Sequence, residues 1–314
     1  MKKILITGFS GFVAHHFLQY MYDNDVLWDV YGVDITAPSY DYQQYDEKLK
    51  IEYSNLDLLD KDGVYACISR ICPDYVLHLV SFSSVAYSWK KPCESFANNT
   101  NIFLNIVQAI HELDIKCRIL SVGSSEEYGD VEESQLPLVE DMPLQPVSPY
   151  AVARVSQEML SKVFVDSMGL DIVLTRSFNH IGPWQDSRFV VPGFVARIKA
   201  IADSGATEGT IETGDLSIVR DFVDVRDVVD AYYKLLQNGQ KGEIYNICSG
   251  KGIRLSEIVK MIANEFGIAI HTQINPEYVR PNDNRVVIGS RDKITQTMSW
   301  NPMHELSQTI RDII

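Results

Sequence analysis

Short β-rich runs that alternate with helical patterns constrain this chain more than any other feature. The runs are Lys3–Ile6, Val30–Val33, Tyr75–Leu79, Arg118–Val122, Ile172–Thr175 and Ile244–Ile247, each followed by turn residues or a helical stretch. Strands separated by helices pair in parallel rather than as hairpins, and the helices then cover both faces of the sheet. With 314 residues, 46% of them hydrophobic, the chain can bury such a sheet and a smaller second lobe. The texture changes after Asn179, at GPWQDSRFVVPG, where a helix is expected near Phe194–Ala202 before segments punctuated by Gly and Pro. The expected sheet domain is therefore residues 1–178 with a return segment at 222–250, and the expected lobe is 179–221 and 251–314. The stretch Glu132–Pro149 carries four prolines and several acids, so packing rather than regular structure should order it.

A formal net charge of −14 and the absence of any lysine or arginine run exclude a polyanion-binding surface, so neither nucleic acid nor an acidic membrane is an expected partner. A small anionic ligand stays compatible, because a few local arginines outweigh global charge at close range. The five cysteines form no CxxC pair and no Cys/His cluster at zinc spacing, so no metal site is expected. The apolar run Ile4–Ile6 ends at Thr7-Gly8, too short for a secretory leader, and no span reaches transmembrane length. Reduced thiols and a cytoplasmic location follow as the expectation.

The first strand runs into TGFSGFVA, which places Gly8, Gly11 and Ala14 at the spacing G-x-x-G-x-x-A. The first glycine permits a sharp turn, the second lets the backbone approach a pyrophosphate, and the alanine permits close helix packing. The turn Gly8, Phe9, Ser10, Gly11, Phe12 and Val13 then presents amide donors at a helix N-terminus. Asp34 closes the second strand in VYGVD, where an acid accepts from a ribose 2′-hydroxyl and repels a 2′-phosphate. Together these features outweigh the alternative of a plain strand–helix turn with a solvated acid. They point to a Rossmann-type doubly wound α/β sheet that binds NAD in preference to NADP. Asp57 and Leu58, after the third strand, are placed at the adenine; His78, Leu79, Val80 and Ser81 are placed at the nicotinamide side.

Residues 121–154 carry the chemistry. Ser124, Tyr150 and the position four beyond that tyrosine have the spacing of a Ser–Tyr–x–x–x–Lys hydride-transfer triad, with Arg154 in place of the lysine. In such a triad a phenol exchanges a proton with a hydroxyl or ketone while hydride moves to or from a nicotinamide. Residues four apart on a helix share a face, and a cation there favours the phenolate. Arginine keeps the charge, but its planar fork is larger than an ammonium.

Gly8/Gly11, Asp57, His78–Ser81, Asn99, Ser124, Tyr150 and the R-x-F-N-x-x-G-P run at Arg176–Pro183 together resemble the extended short-chain dehydrogenase/reductase family. GSSEEYG, SFNHIGP, RDFVDVRD and RPNDNRVVIGS are similar to its GDP-mannose 4,6-dehydratase and GDP-4-keto-6-deoxy-mannose reductase branch. The resemblance implies a nucleotide-sugar enzyme in which Tyr150 exchanges a proton with the sugar's 4-oxygen, Ser124 hydrogen-bonds that oxygen and the residue in the lysine slot holds the nicotinamide ribose. It adds Asn99 and Phe178 to the cofactor residues, and Ser83, Asn179, Val190 and Val191 to the substrate residues. Arg220 and Arg280 become the diphosphate ligands, since guanidinium forks match phosphate oxygens; the competing reading pairs them with Asp221 and Asp283. Asp283 is placed at the nucleotide ribose, with Arg188 and Arg285 as secondary cations. Glu126, two residues after Ser124, occupies the position of the carboxylate that removes the C5 proton in 4,6-dehydratases. The lead expectation is a GDP-4-keto-6-deoxy-mannose reductase. A GDP-mannose 4,6-dehydratase comes next, then a 4-epimerase or 4-dehydrogenase, then a non-catalytic NAD-binding protein on account of Arg154. A homodimer is implied as well, with partner packing altered because Ile102 and Phe103 stand where the family has small residues.

Overall fold

The computed structural model describes residues 1–279 and 284–314. Its strands are β1 (Lys3–Thr7), β2 (Asp29–Asp34), β3 (Lys50–Asn55), β4 (Tyr75–His78), β5 (Arg118–Ser124), β6 (Asp171–Ser177), β7 (Asn179–Ile181), β8 (Glu208–Thr213), β9 (Val219–Asp224), β10 (Ile244–Ile247), β11 (Gly252–Arg254), β12 (Ala269–Ile274) and β13 (Val286–Val287). The helices are α1 (Phe12–Asp23), α2 (Lys61–Ile71), α3 (Val85–Lys90), α4 (Pro92–Glu112), α5 (Pro149–Met168), α6 (Val190–Asp203), α7 (Val225–Asn238), α8 (Leu255–Phe266), α9 (Asp292–Met298) and α10 (Leu306–Ile313).

Seven strands form one parallel sheet in the order β3-β2-β1-β4-β5-β6-β10. Both faces are covered, which is why β1 reads as continuous apolar sequence rather than as an alternation. Ile4 and Ile6 pack with Phe17 of α1 and Val228 of α7, whereas Leu5 faces Val64 of α2 and Ile106 of α4. The strand order reverses between β1 and β4, and the crevice outside the carboxyl ends of those strands is where doubly wound sheets bind ligands.

The second lobe joins β11, β9 and β13, with β7 added on β9, and a separate β12-β8 pair. Val191, Phe194 and Ile198 of α6 pack there with Ile258 and Ile262 of α8 and with Ile310 of α10. The expected helix near 194–202 thus begins a turn earlier, at Val190. The stretch 132–149 is pinned by bridges from Gly129 to Gln145 and from Leu138 to Gly289, with Leu138 fully buried.

One expected boundary needs correction. Ile294 and Trp300 lie in the core with Phe17 and Tyr232, so the segment around α9 returns to the sheet instead of belonging to the lobe. Ile102 and Phe103 point inward against Leu5 and Ile119, where their size fills the core.

Candidate active site

The turn between β1 and α1 is built around Gly8. Its φ is +72°, and a Cβ there would stand 2.8 Å from the Val80 amide nitrogen, so only glycine lets this turn lie against the loop after β4. Phe9 turns its ring inward onto Gly32 and is fully buried, which leaves its backbone at the turn. Gly11 precedes α1 without a side-chain cap, and the first turn carries no acid. The amides of Phe12 and Val13 are therefore available to an anion, aided by the helix dipole.

Asp34 ends β2, and its carboxylate braces the turn: it accepts from the Ser10 amide at 3.0 Å and from the Ile35 amide at 2.7 Å. A carboxylate has about four lone-pair sites, so capacity for a ribose hydroxyl remains. Asp57 is exposed and accepts from the Leu59 amide at 2.9 Å; Leu58 is buried beside it. Leu79, Val80 and Ser81 line the crevice after β4, and Ser83 is exposed further along the same loop. Asn99 has both ends of its amide on the Phe82 backbone, at 2.9 and 3.3 Å, so it holds this loop from behind. Phe178, expected at the cofactor, can meet it only through its backbone. Its ring fills a small core with Tyr128, Leu138 and Cys248, close against Gly289.

At the other side of the crevice the cap of α5 fixes the phenol. Ser148 accepts from the Ala151 amide at 3.1 Å and Pro149 opens the helix, which puts Tyr150 in the first turn, facing the end of β5. Ser124 is the last residue of β5, and its hydroxyl accepts from the Glu126 amide at 3.2 Å. Burial pushes the Tyr150 phenol above its ordinary value of 10.0, while the Arg154 charge and a hydrogen bond from Ser124 pull it back. Arg154 is buried, and its Nε and Nη1 have no partner among the described residues. His78 ends β4 with Nδ1 at 3.0 Å from the Thr7 hydroxyl and Nε2 without a partner. Desolvation, then the Arg154 charge, hold this histidine down at about 3, so it is neutral. A glycine cradle against Val80, an uncapped helix start and unsatisfied buried donors at Arg154 together fit a dinucleotide laid across the carboxyl ends of the strands.

Beyond the phenol opens a small cleft, with about 30 Å³ of room for solvent, lined by Ser125, Glu126, Val147, Asn179, Arg220, Asn284 and Val287. It unites three expected site residues from distant parts of the chain. Arg220 donates to the carbonyls of Val219 and Asn284 at 2.9 and 2.7 Å. It is not the partner of Asp221, which is buried and accepts instead from Ser249, Gly250 and Gly289. Val190 is partly exposed at the start of α6, but Val191 is fully buried in the lobe core, so only the first valine can face a ligand. Arg188 is exposed and paired with Asp186 at 3.0 Å, and Arg285 is exposed. Arg280 and Asp283 lie outside the described residues.

Several contributors escape sequence reasoning. Glu127, which the sequence leaves as either a solvated or a structural acid beside Glu126, is fully buried under β5. The His180 ring stacks on Phe12 at 5.7 Å, and Trp184 stacks at 4.0 Å on His15, whose other side carries Tyr40 at 4.2 Å. His16 lies 3.1 Å from the Pro183 carbonyl, so the GPW turn is fastened to the cofactor helix. The adjacent histidines in FVAHHF were the only signal of this seam.

A family model described as GDP-mannose 4,6 dehydratase matches residues 5–313. The chain is 29% identical to a GDP-6-deoxy-D-mannose reductase of Pseudomonas aeruginosa, over 100% of this chain and 96% of that protein. The solved structure of RMD from Pseudomonas aeruginosa complexed with NADPH superimposes with a TM-score of 0.85 at 27% identity, covering 99% of this chain and 97% of the other. A Thermus thermophilus UDP-glucose 4-epimerase complexed with NAD superimposes with a TM-score of 0.86 at 28% identity, covering 99% and 97%.

Proposed function

The chain belongs to the GDP-mannose 4,6-dehydratase family, and we propose that within it the protein reduces the 4-keto group of GDP-4-keto-6-deoxy-mannose. The observation that carries this reading is the convergence of Ser124, Tyr150 and Arg154 between a dinucleotide cradle and a cleft holding Asn179 and Arg220. A nicotinamide dinucleotide held at the Gly8–Val13 turn and beside Arg154 would supply hydride for C4 when bound. Tyr150 gives its proton to the 4-oxygen as the carbonyl becomes an alcohol, and Ser124 donates a hydrogen bond to the same oxygen. Arg154 favours the phenolate left behind, which recovers its proton from solvent. Asn179 and Arg220 receive the sugar and its diphosphate, and Val190 meets the base; the resemblance adds Arg280 and Asp283.

The cofactor is proposed to be NAD(H). A carboxylate at the end of β2 disfavours a 2′-phosphate, whereas the Pseudomonas aeruginosa RMD structure holds NADPH. The test is oxidation of added NADH and NADPH by the purified protein, with and without the 4-keto sugar. Consumption that requires the keto sugar and prefers NADH is expected.

Glu126 supports a second reading, because it lines the cleft within electrostatic range of Tyr150. A carboxylate there could remove a C5 proton, and conversion of GDP-mannose without added reductant would install the dehydratase and overturn the reductase. No turnover of any nucleotide sugar, with NAD still bound, would leave a binding protein.

No helix among the described residues is long and apolar enough to cross a membrane. We place the protein in the cytoplasm as a homodimer. Phe96 of α4 and Val152, Met159 and Val163 of α5 stay exposed on adjacent helices, a face suited to a second copy.

A further inference from the structure

Behind Ser124 and Tyr150 lies a tightly packed polar seam that the proposed reaction leaves unused. Ser121, Gly123, Glu127 and Thr175 face Arg154 and Gln157 there across a gap too small to hold a water molecule. Glu127 is fully buried; its Oε1 accepts from the Ser124 amide at 2.6 Å, and its Oε2 has no partner among the described residues. Arg154 meets the same space with its unsatisfied Nε and Nη1. Room for the acid comes from Gly123, where a Cβ would stand 2.5 Å from Glu127 Oε1 and 2.3 Å from the Thr175 carbonyl oxygen.

The other buried acid of the region is already committed. Glu158 accepts from Arg176 through both oxygens, at 2.9 and 3.0 Å, and from Lys162 at 3.1 Å. Glu127 is therefore the carboxylate left to balance Arg154, and an uncompensated buried charge is strongly unfavourable.

We propose that Glu127 is a positioning residue for Arg154, the two forming a buried pair in which the carboxylate sets the place and effective charge of the guanidinium beside the Tyr150 phenol. The inference rests on the reading of Tyr150 as proton donor. It explains how a larger, planar cation works in a slot suited to lysine: the acid under Gly123 takes up its charge from behind. Through the Ser124 amide the same carboxylate also holds the end of β5, so the hydroxyl and the guanidinium share one reference point.

The electrostatic surroundings give the pair a direction. Glu127 faces Arg154 and Glu158 from α5, Arg176 from β6 and the Ser124 amide. Burial, then Glu158, push its carboxyl up to about 8 against the amide and the two arginines, so its charge on the guanidinium grows as pH rises through that value. Tyr150 faces Arg154, Ser124, Glu126 and Glu127, and both acids raise the phenol. His78 at the end of β4 and Tyr232 of α7 complete the surroundings of Arg154.

Glu127→Gln keeps an acceptor for the Ser124 amide and removes the ionisable carboxyl, so the comparison is made above pH 8. Tyr150 would be titrated by its phenolate absorbance, as the difference from Tyr150→Phe, and kcat/KM would be measured for Glu127→Gln, Arg154→Met and the double variant. The expected results are a Tyr150 titration moved to lower pH by Glu127→Gln, and a loss in Arg154→Met, on the order of 100-fold, of which Glu127→Gln restores about tenfold. An unmoved titration, or losses that simply multiply, would overturn the proposal. The absorbance titration needs no substrate, so absence of turnover would sink the functional reading and still leave this one decided.

Discussion

Tyr150 has to give up a proton from a buried position, and burial alone makes that harder. The counterweights are the Arg154 charge and the Ser124 hydroxyl. Tyr150→Phe is accordingly expected to cut turnover by about 10²–10⁴-fold with NADH affinity unchanged, as separate kinetic and binding titrations would show. Arg154→Lys keeps a cation in front of Glu127, so kcat should be preserved or raised; a loss beyond about tenfold would show that the planar fork itself is required. Ser124, Tyr150 and Arg154 were legible because helical and strand-end spacing survives in sequence. Glu127 was not. A second acid after Glu126 reads as either solvated or structural, and its one clue was Gly123, whose missing side chain opens the space beneath the strand. Val191 misled for a different reason: it follows Val190, but adjacent positions at a helix start point to different sides.

Among elements, six of the seven parallel strands were read within a residue or two of their ends, because strands covered on both faces are apolar throughout, whereas the edge strand β3, KIEYSN, was given no bounds. The lobe's small sheet left no such trace: β7, β11 and β13 span two or three residues each, and their common partner β9 is distant in sequence. Close approach between elements is what makes the β1–α1 turn specific. Gly8→Ala would force a left-handed side chain against the Val80 backbone, 2.8 Å away. A destabilisation of about 2 kcal/mol, read from denaturant unfolding, should come with weakened NADH binding by fluorescence titration. Unchanged affinity would mean that the turn does not carry the pyrophosphate.

At the scale of the whole molecule, pH should act through buried histidines. Desolvation holds His15 at about 4 and His78 at about 3, and lowers His16 and His180, from an ordinary 6.5. The unfolded chain takes up these protons first, so the stability they contribute is complete above pH 6.5 and lost as pH falls toward the folded values, by roughly 1.4 kcal/mol per pH unit for each. Thermal unfolding followed from pH 7 to about pH 4.5 should show Tm falling steadily; a flat profile would contradict it. Met159→Glu, on the exposed face of α5, is expected to give a monomer by light scattering, and a persistent dimer would place the interface elsewhere. The doubly wound plan was legible from alternation, but the return of Ile294 and Trp300 to the sheet was not, since a short terminal helix carries no sign of the core it joins. That return has a topological consequence. With α7 and β10 on one side and Trp300, whose indole donates to the Asp227 carbonyl at 3.0 Å, on the other, the lobe is an insert tethered at several points. A protease nick within it leaves fragments that stay together in native gel filtration and part only in denaturant.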